Sequence, residues 1–170
     1  MKRMMKTTAL LIGLLAMVAG VQAQKFGYLN SAAVLSEMPE IKQADSSLEA
    51  LQKQLQKKGQ QMVEDYQRKA QELQQKIQDG NITPRQQEEE VAKIKQEEDK
   101  IAQFEQDMMK QLNDKRTELM QPIYDRVNQA IKDVASENGY QFIFDSNVLL
   151  YAEESQDVST LVKTKLGLGS

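Results

Sequence analysis

The chain of 170 residues has no histidine, cysteine or tryptophan, and its formal net charge is −3 at pH 7. Without thiol and imidazole groups it lacks the usual thiolate nucleophile, the commonest general base and the nitrogen and sulfur ligands of zinc. We therefore expect no catalytic, metal or cofactor site. Aromatic residues make up 5% and charged residues 28%, a composition that favours elongated elements over a thick globular core.

The first 23 residues are typical of a secretion signal. Three basic residues precede a short apolar run, and small side chains lead up to Ala23, as signal peptidase requires. An uncleaved anchor is the alternative, but the apolar run of roughly 11 residues is short against the ~20 that a spanning helix needs. We predict cleavage between Ala23 and Gln24, which leaves residues 24–170 as one soluble exported domain with at most transient membrane contact.

Cleavage changes the charge of the protein. It removes three basic and no acidic residues, so the formal charge falls from −3 to −6. Nucleic acid is therefore not expected as a partner, because phosphate binding requires an excess of lysine and arginine.

The mature chain begins with a short strand. In the segment 25–30, Phe26 and Tyr28 alternate with smaller side chains, the period of two that indicates a strand. Ser31 is a suitable N-cap for a short helix to Glu37, and we expect Pro39 to interrupt that helix.

Two long amphipathic helices follow. The first is predicted from about Ile41 to Gln78, and the second from Pro84 to about Asn138. Each carries one narrow apolar stripe, which we call the seam. The seam residues are Ile41, Ala44, Leu48, Leu51, Leu55, Met62, Tyr66, Ala70, Leu73 and Ile77 in the first helix, and Val91, Ile94, Ile101, Phe104, Met108, Leu112, Leu119, Ile123, Val127, Ala130, Ile131 and Val134 in the second.

Turn and capping signals separate the two helices. The segment 79–81 contains Gly80 and stops the first helix, and Thr83 with Pro84 starts the second as N-cap and first helical residue. Gly139 ends the second helix. We therefore expect the chain to reverse direction near residues 79–84.

The two seams fit one antiparallel register. Facing residues of an antiparallel pair have a nearly constant sum of residue numbers, and here that sum is 163 or 164 along the whole length. The pairs are Leu73 with Val91, Ala70 with Ile94, Met62 with Ile101, Leu55 with Met108, Leu51 with Leu112, Ala44 with Leu119 and Ile41 with Ile123. Gly59 falls opposite Phe104. The alternative is a parallel coiled coil between chains, kinked at Pro84.

The character of the chain changes after Gly139. Two apolar runs, 140–145 and 148–152, are joined by Ser146 and Asn147, which predicts a β-hairpin. Asp157 is a suitable cap for a last helix from Val158 to Leu166.

Three short strands leave sheet edges and one face uncovered, so we expect subunits to join through them. The predicted oligomerisation residues are Phe26, Tyr28, Tyr140, Phe142, Ile143, Phe144, Val148, Leu150 and Tyr151. The fold prediction is mainly α with a small β body, 25–40 and 120–170, from which a helical hairpin, 41–119, projects.

This combination resembles a known family. The resemblance rests on the segment KFGYLN at 25–30, the polar hairpin, GYQFIFDSN at 139–147, LYA at 150–152 and DVS at 157–159. Together they are similar to the Skp/OmpH family of periplasmic chaperones over essentially the whole mature chain. The strand pair with Asp145, Asn147 and Tyr151 is the most specific part.

The resemblance implies a homotrimer with a β-barrel-like body and three helical tentacles. These tentacles would enclose unfolded outer-membrane proteins in transit across the periplasm, without ATP. Family members often carry basic tentacles, whereas this mature chain is acidic.

Candidate client contacts lie off the seam. Val63, Met109 and Met120 are apolar, and methionine adapts to varied partners. The alternative is that they pack against the neighbouring helix or the body. The acidic runs 88–90 and 97–99 are interpreted as a solvated face, because consecutive helical residues point in different directions. An adaptor that binds one folded envelope protein remains the alternative to a chaperone.

Overall fold

The computed structural model describes residues 24–169, so the predicted signal peptide lies outside the described residues. The order of elements is β1 (Phe26–Leu29), α1 (Ser31–Glu37), α2 (Pro39–Gln78), α3 (Pro84–Asn138), β2 (Phe142–Asp145) and α4 (Ser159–Leu166). Short 3-10 turns occupy Ser146–Val148 and Glu154–Gln156. The chain divides into two compact units, which are 24–31 with 130–169, and 32–129.

The unit 32–129 is an antiparallel helical hairpin in the predicted register. A Cβ atom placed on Gly59 would lie 3.2 Å from Cε1 of Phe104, its expected partner. Lys69 Nζ lies 3.1 Å from Glu97 Oε1, and Arg126 is paired with Glu40. These contacts within one chain confirm the hairpin, so the parallel alternative with a kink at Pro84 is wrong.

Local signals determine where the two long helices begin. Thr83 and Gln86 form the expected capping box: the Gln86 N–H donates to Thr83 Oγ1, and the Thr83 N–H donates to Gln86 Oε1 at 3.0 Å. The short helix ends at Glu37 and Met38 is extended, so helical structure is interrupted before Pro39 as the sequence suggested, and Pro39 itself is the first residue of α2. At that position its missing N–H removes no helical hydrogen bond and its fixed φ suits the helix.

The hairpin core is thin. Its buried residues are Val34, Met38, Ala44, Leu55, Leu73, Phe104, Ile123 and Val127. The other seam residues are mostly half-buried, as expected when only two helices meet. None of the helices within residues 24–169 is both long enough and apolar enough to cross a membrane.

The unit formed by 24–31 and 130–169 is built around a parallel pair of strands. β1 pairs with β2 from Phe26 opposite Phe142 to Leu29 opposite Asp145. On the other edge of β1, the Val158 N–H donates to the Tyr28 carbonyl at 2.8 Å. The buried side chains of this unit are Leu29, Ala130, Val134, Val158, Val162 and Leu166.

The predicted β-hairpin is wrong. Residues after Asp145 enter a 3-10 turn instead of a reverse turn, because the Asp145 side chain accepts the Asn147 N–H at 2.9 Å. A tight two-residue hairpin usually needs positive φ, and no described residue other than glycine has it. Val148, Leu150 and Tyr151 therefore lie outside any strand, and Tyr140 precedes β2.

The last helix matches its prediction with a small shift. Asp157 Oδ1 accepts the Ser159 N–H at 2.8 Å, but the N-cap position belongs to Val158, so the helix begins at Ser159 and not at Val158. Gly167 ends it with a φ of 75°, in the left-handed region that favours glycine.

Candidate functional site

The three apolar side chains predicted off the seam differ in their surroundings. Met109 is 67% exposed and Val63 is 38% exposed, whereas Met120 is half-buried. Charged residues on the same hairpin are paired with each other, as in Lys53 with Glu49 at 2.6 Å. Met109 and Val63 are thus exposed on a hairpin whose charged side chains are largely paired with nearby charges.

Met109 and Met120 line two neighbouring cavities of about 240 and 540 Å³ on one flank of the hairpin. Leu48 and Arg116 line both cavities. The seam of α3 has no apolar residue between Leu112 and Leu119, so Leu48 faces the polar residue Arg116. This interruption of the seam leaves space that the chain itself does not fill.

A third cavity, of about 380 Å³, lies in the same unit and is the most apolar of those described. Apolar walls come from Met38, Ala44, Leu119, Pro122 and Ile123. Ala44 is too small to fill the space opposite Leu119, although the sequence-based register treated the two as an ordinary pair. We call this space the Ala44 cavity.

Polar residues of the Ala44 cavity were missed by the sequence reasoning. They are Glu40, Gln43, Ser47 and Arg126, and Glu40 and Arg126 form an ion pair through Glu40 Oε1. The second carboxylate oxygen, Oε2, is enclosed and has no hydrogen-bond donor among the described residues. The available signals were an alanine in the seam and a proline, Pro122, inside the facing helix.

The exposed aromatic face of the strand pair contains three of the predicted oligomerisation residues. Phe26, Phe142 and Phe144 stack with ring centroids 5.8 to 6.4 Å apart, and their exposures are 38%, 54% and 40%. Ile143 and Tyr28 are half-buried. The structure therefore brings the three phenylalanines together on one uncovered surface.

The remaining predicted oligomerisation residues lie at two other places. The Tyr140 ring lies 3.2 Å from the position a Cβ on Gly27 would occupy, with Lys25 Nζ 4.1 Å from its centroid. Val148, Leu150 and Tyr151 are 71%, 107% and 82% exposed. The last three form an extended apolar segment with no cover from the described residues.

Asp145 accepts two hydrogen bonds at the end of β2. The Ser31 hydroxyl donates to Asp145 Oδ2, and the Asn147 N–H donates to Oδ1. These hydrogen bonds, led by that from Ser31, hold the pKa of Asp145 below its ordinary value. For Tyr28, burial followed by the charges of Asp157 and Glu154 raises the pKa of the phenol.

The acidic runs of α3 behave as a solvated surface. Glu90 pairs with Lys93 at 2.7 Å, and Glu97 pairs with Lys69 across the hairpin. The hydrogen bond from Lys69 is the main reason that the pKa of Glu97 is lowered. Within residues 24–169 no group of three or more acidic side chains is arranged to hold a metal ion.

Comparisons with known proteins agree on one family. The family described as "Outer membrane protein (OmpH-like)" matches residues 25–166. The chaperone protein Skp of Yersinia enterocolitica is 31% identical over 147 residues, covering 85% of this chain and 87% of that protein. The chaperone protein Skp of Photorhabdus luminescens is 30% identical over 158 residues, covering 87% and 89%.

A solved structure shows the same fold. It comes from Caulobacter crescentus CB15 and is described as OmpH-like, with a TM-score of 0.72 at 15% identity. The match covers 88% of this chain and 86% of that one.

Proposed function

Because the chain belongs to the OmpH-like family, we propose that it is an ATP-independent holdase chaperone of the periplasm. Its clients are unfolded outer-membrane proteins, which it keeps from aggregating until they reach the outer membrane. Two relatives at about this chain's length are named chaperones, which supports this class of function.

The exposure of Met109 is the observation that carries the proposal. A side chain that is 67% exposed and apolar, beside cavities of about 240 and 540 Å³, offers adaptable contacts to apolar segments. Each such contact is weak, and several together retain a client while allowing each one to break. Release then follows from the dissociation rates and from the client's own folding, without an energy source.

We propose that the protein works as a homotrimer joined through the predicted body, 25–40 and 120–170. An isolated pair of four-residue strands is marginal in water, and its three phenylalanines are exposed. Leu150 and Tyr151 add a second apolar surface that a monomer leaves in contact with solvent. Burial of these surfaces between subunits would stabilise the assembly.

An aggregation assay tests the function. A urea-denatured outer-membrane β-barrel is diluted into buffer with the purified mature protein, and light scattering is followed. Near-stoichiometric trimer should suppress the scattering. Met109→Ser should require roughly twice as much protein, and Gln111→Ser, an exposed polar change two residues away, should not.

Failure of the unsubstituted protein to suppress aggregation would refute the holdase function. A pull-down from the cell envelope then addresses the adaptor alternative, since one folded partner favours an adaptor and many unrelated unfolded clients favour a chaperone. Native mass spectrometry tests the assembly, and a monomer at micromolar concentration would contradict the homotrimer.

A further inference from the structure

We infer that the Ala44 cavity is a binding site for single tyrosine or tryptophan side chains of an unfolded client. The inference rests on the proposed holdase function and adds to it a site and a preferred side chain. Its starting point is the combination of apolar walls with one acceptor that lacks a donor.

The apolar walls fit an aromatic ring. Met38, Ala44 and Ile123 are at most 6% exposed, and Leu119 and Pro122 complete the apolar walls of a cavity of about 380 Å³. Its polar lining is Glu40, Gln43, Ser47 and Arg126. That volume lies within the range of small-molecule sites, whose linings are mostly apolar with a few polar groups. Aromatic side chains gain more from such burial than smaller apolar side chains do, because they bury the largest apolar area.

The acceptor selects among aromatic rings. Glu40 Oε1 is held by Arg126, whereas Oε2 is enclosed without a donor. A buried acceptor without a donor is unfavourable. An occupant that brings a donor can bond to this carboxylate, and tyrosine O–H and tryptophan N–H are the donors that aromatic side chains carry. Phenylalanine fits the walls but brings no donor.

The carboxylate of Glu40 has capacity for a further donor. Glu40 lines the cavity and its side chain is 38% exposed, so it is not locked in a closed core. An ionised carboxylate accepts about four hydrogen bonds, so the contact with Arg126 leaves room for one from an occupant.

The proposed clients present the matching groups. Transmembrane β-barrels carry girdles of aromatic residues at both membrane interfaces, and tyrosine and tryptophan are enriched there. An unfolded barrel chain therefore offers such side chains at intervals along its length. A site for one ring at a time fits a holdase that binds through many weak contacts.

The test compares three synthetic peptides that differ at one position. Each is a 12-residue, Gly/Ser-rich, uncharged peptide with a central tyrosine, tryptophan or phenylalanine, titrated into the full mature protein labelled on its methyl groups. We expect the Met38 and Ile123 methyl signals to shift, and the tyrosine peptide to bind about five- to tenfold more tightly than the phenylalanine peptide. Equal affinities, or shifts confined to Val63 and Met109, would overturn the inference.

Substitution of Glu40 completes the test. In Glu40→Ala the acceptor is absent, so the tyrosine and phenylalanine peptides should bind equally, whereas Val63→Ser should retain the preference. If Glu40→Ala does not fold, the comparison of peptides on the unsubstituted protein still decides.

The aggregation assay on the same preparation separates the two claims. Aggregation suppression without a tyrosine preference overturns the aromatic site and leaves the holdase function standing. Absence of suppression refutes the holdase function whatever the peptides do.

Discussion

Gly59 and Phe104 provide a direct energetic test of the hairpin register. A Cβ on Gly59 would lie 3.2 Å from the Phe104 ring, so a longer side chain there competes with that ring for the same space. We consider Gly59→Leu, Phe104→Ala and the combination of both. The prediction is that the two changes compensate each other.

The magnitudes follow from the packing. Overpacking by Gly59→Leu is unfavourable by about 1–3 kcal/mol, and loss of a mid-helix glycine offsets roughly 0.8 kcal/mol of that. Phe104 is 9% exposed, so Phe104→Ala should reduce the free energy of unfolding by about 3 kcal/mol, the low end for a buried phenylalanine. In the double variant the leucine fills the space that the ring leaves, and the total loss should be smaller than the sum by about 1.5 kcal/mol.

Urea unfolding of the mature protein measures these values. Protein concentration is held fixed because the proposed association would contribute to stability. Ala50→Leu is the matched control, since Ala50 lies on the exposed side of α2 and its effect should add to that of Phe104→Ala. If the Gly59 and Phe104 changes also add within about 0.5 kcal/mol, the proposed contact does not exist in solution.

Three further predictions concern other parts of the chain. Because hydrogen bonding lowers the pKa of Asp145, its stabilising effect is present above its ordinary pKa of 3.8 and is lost as pH falls through the lowered value. Acid titration followed by circular dichroism should therefore show that Asp145→Asn loses less stability at low pH than the unsubstituted protein does. An unchanged profile would contradict this. A zero-length carbodiimide crosslinker should join Lys69 to Glu97 within one chain, and mass spectrometry that finds only links between chains would contradict the hairpin. Thr83→Ala should lower stability by about 0.5–2 kcal/mol through loss of the cap, with faster amide exchange in the first turn of α3; unchanged exchange would show that the cap contributes nothing.

The hairpin was predictable because its determinants are local and repeated. Seam spacing fixes which face of each helix is apolar, and Gly80 and Thr83 fix where the chain reverses. One register then satisfies seven apolar pairs along the hairpin, so an error at one position is corrected by the others. The contact of Gly59 with Phe104 was predicted on this basis alone.

The strand pairing was not predictable from the same kind of pattern. Alternation of apolar residues indicates a strand but does not identify its partner. β2 pairs with the distant β1, and Asp145 uses its side chain to direct the chain into a 3-10 turn. Val148 to Tyr151 have the composition of a strand without a partner in the monomer.

The Ala44 cavity shows a second limit of sequence reasoning. Seam spacing counts Ala44 as apolar but does not record how much space it fills. The orphan oxygen of Glu40 depends on the position of Arg126, 86 residues away in sequence. The spacing of apolar residues in the sequence shows neither the volume of the cavity nor the missing hydrogen-bond donor.

The parallel pairing of β1 with β2 has a consequence for the order of folding. Phe26 and Phe142 are 116 positions apart, and closing a flexible loop of that length costs about 4 kcal/mol in chain entropy. Once the hairpin has joined Glu40 to Arg126, roughly 30 flexible residues remain between the strands, and that cost falls by about 1 kcal/mol. With the signal-directed export that the sequence predicts, β1 would emerge first but could not pair until the whole hairpin had followed. The hairpin should therefore form early and the sheet last, so the aromatic strands would stay unpaired during that export.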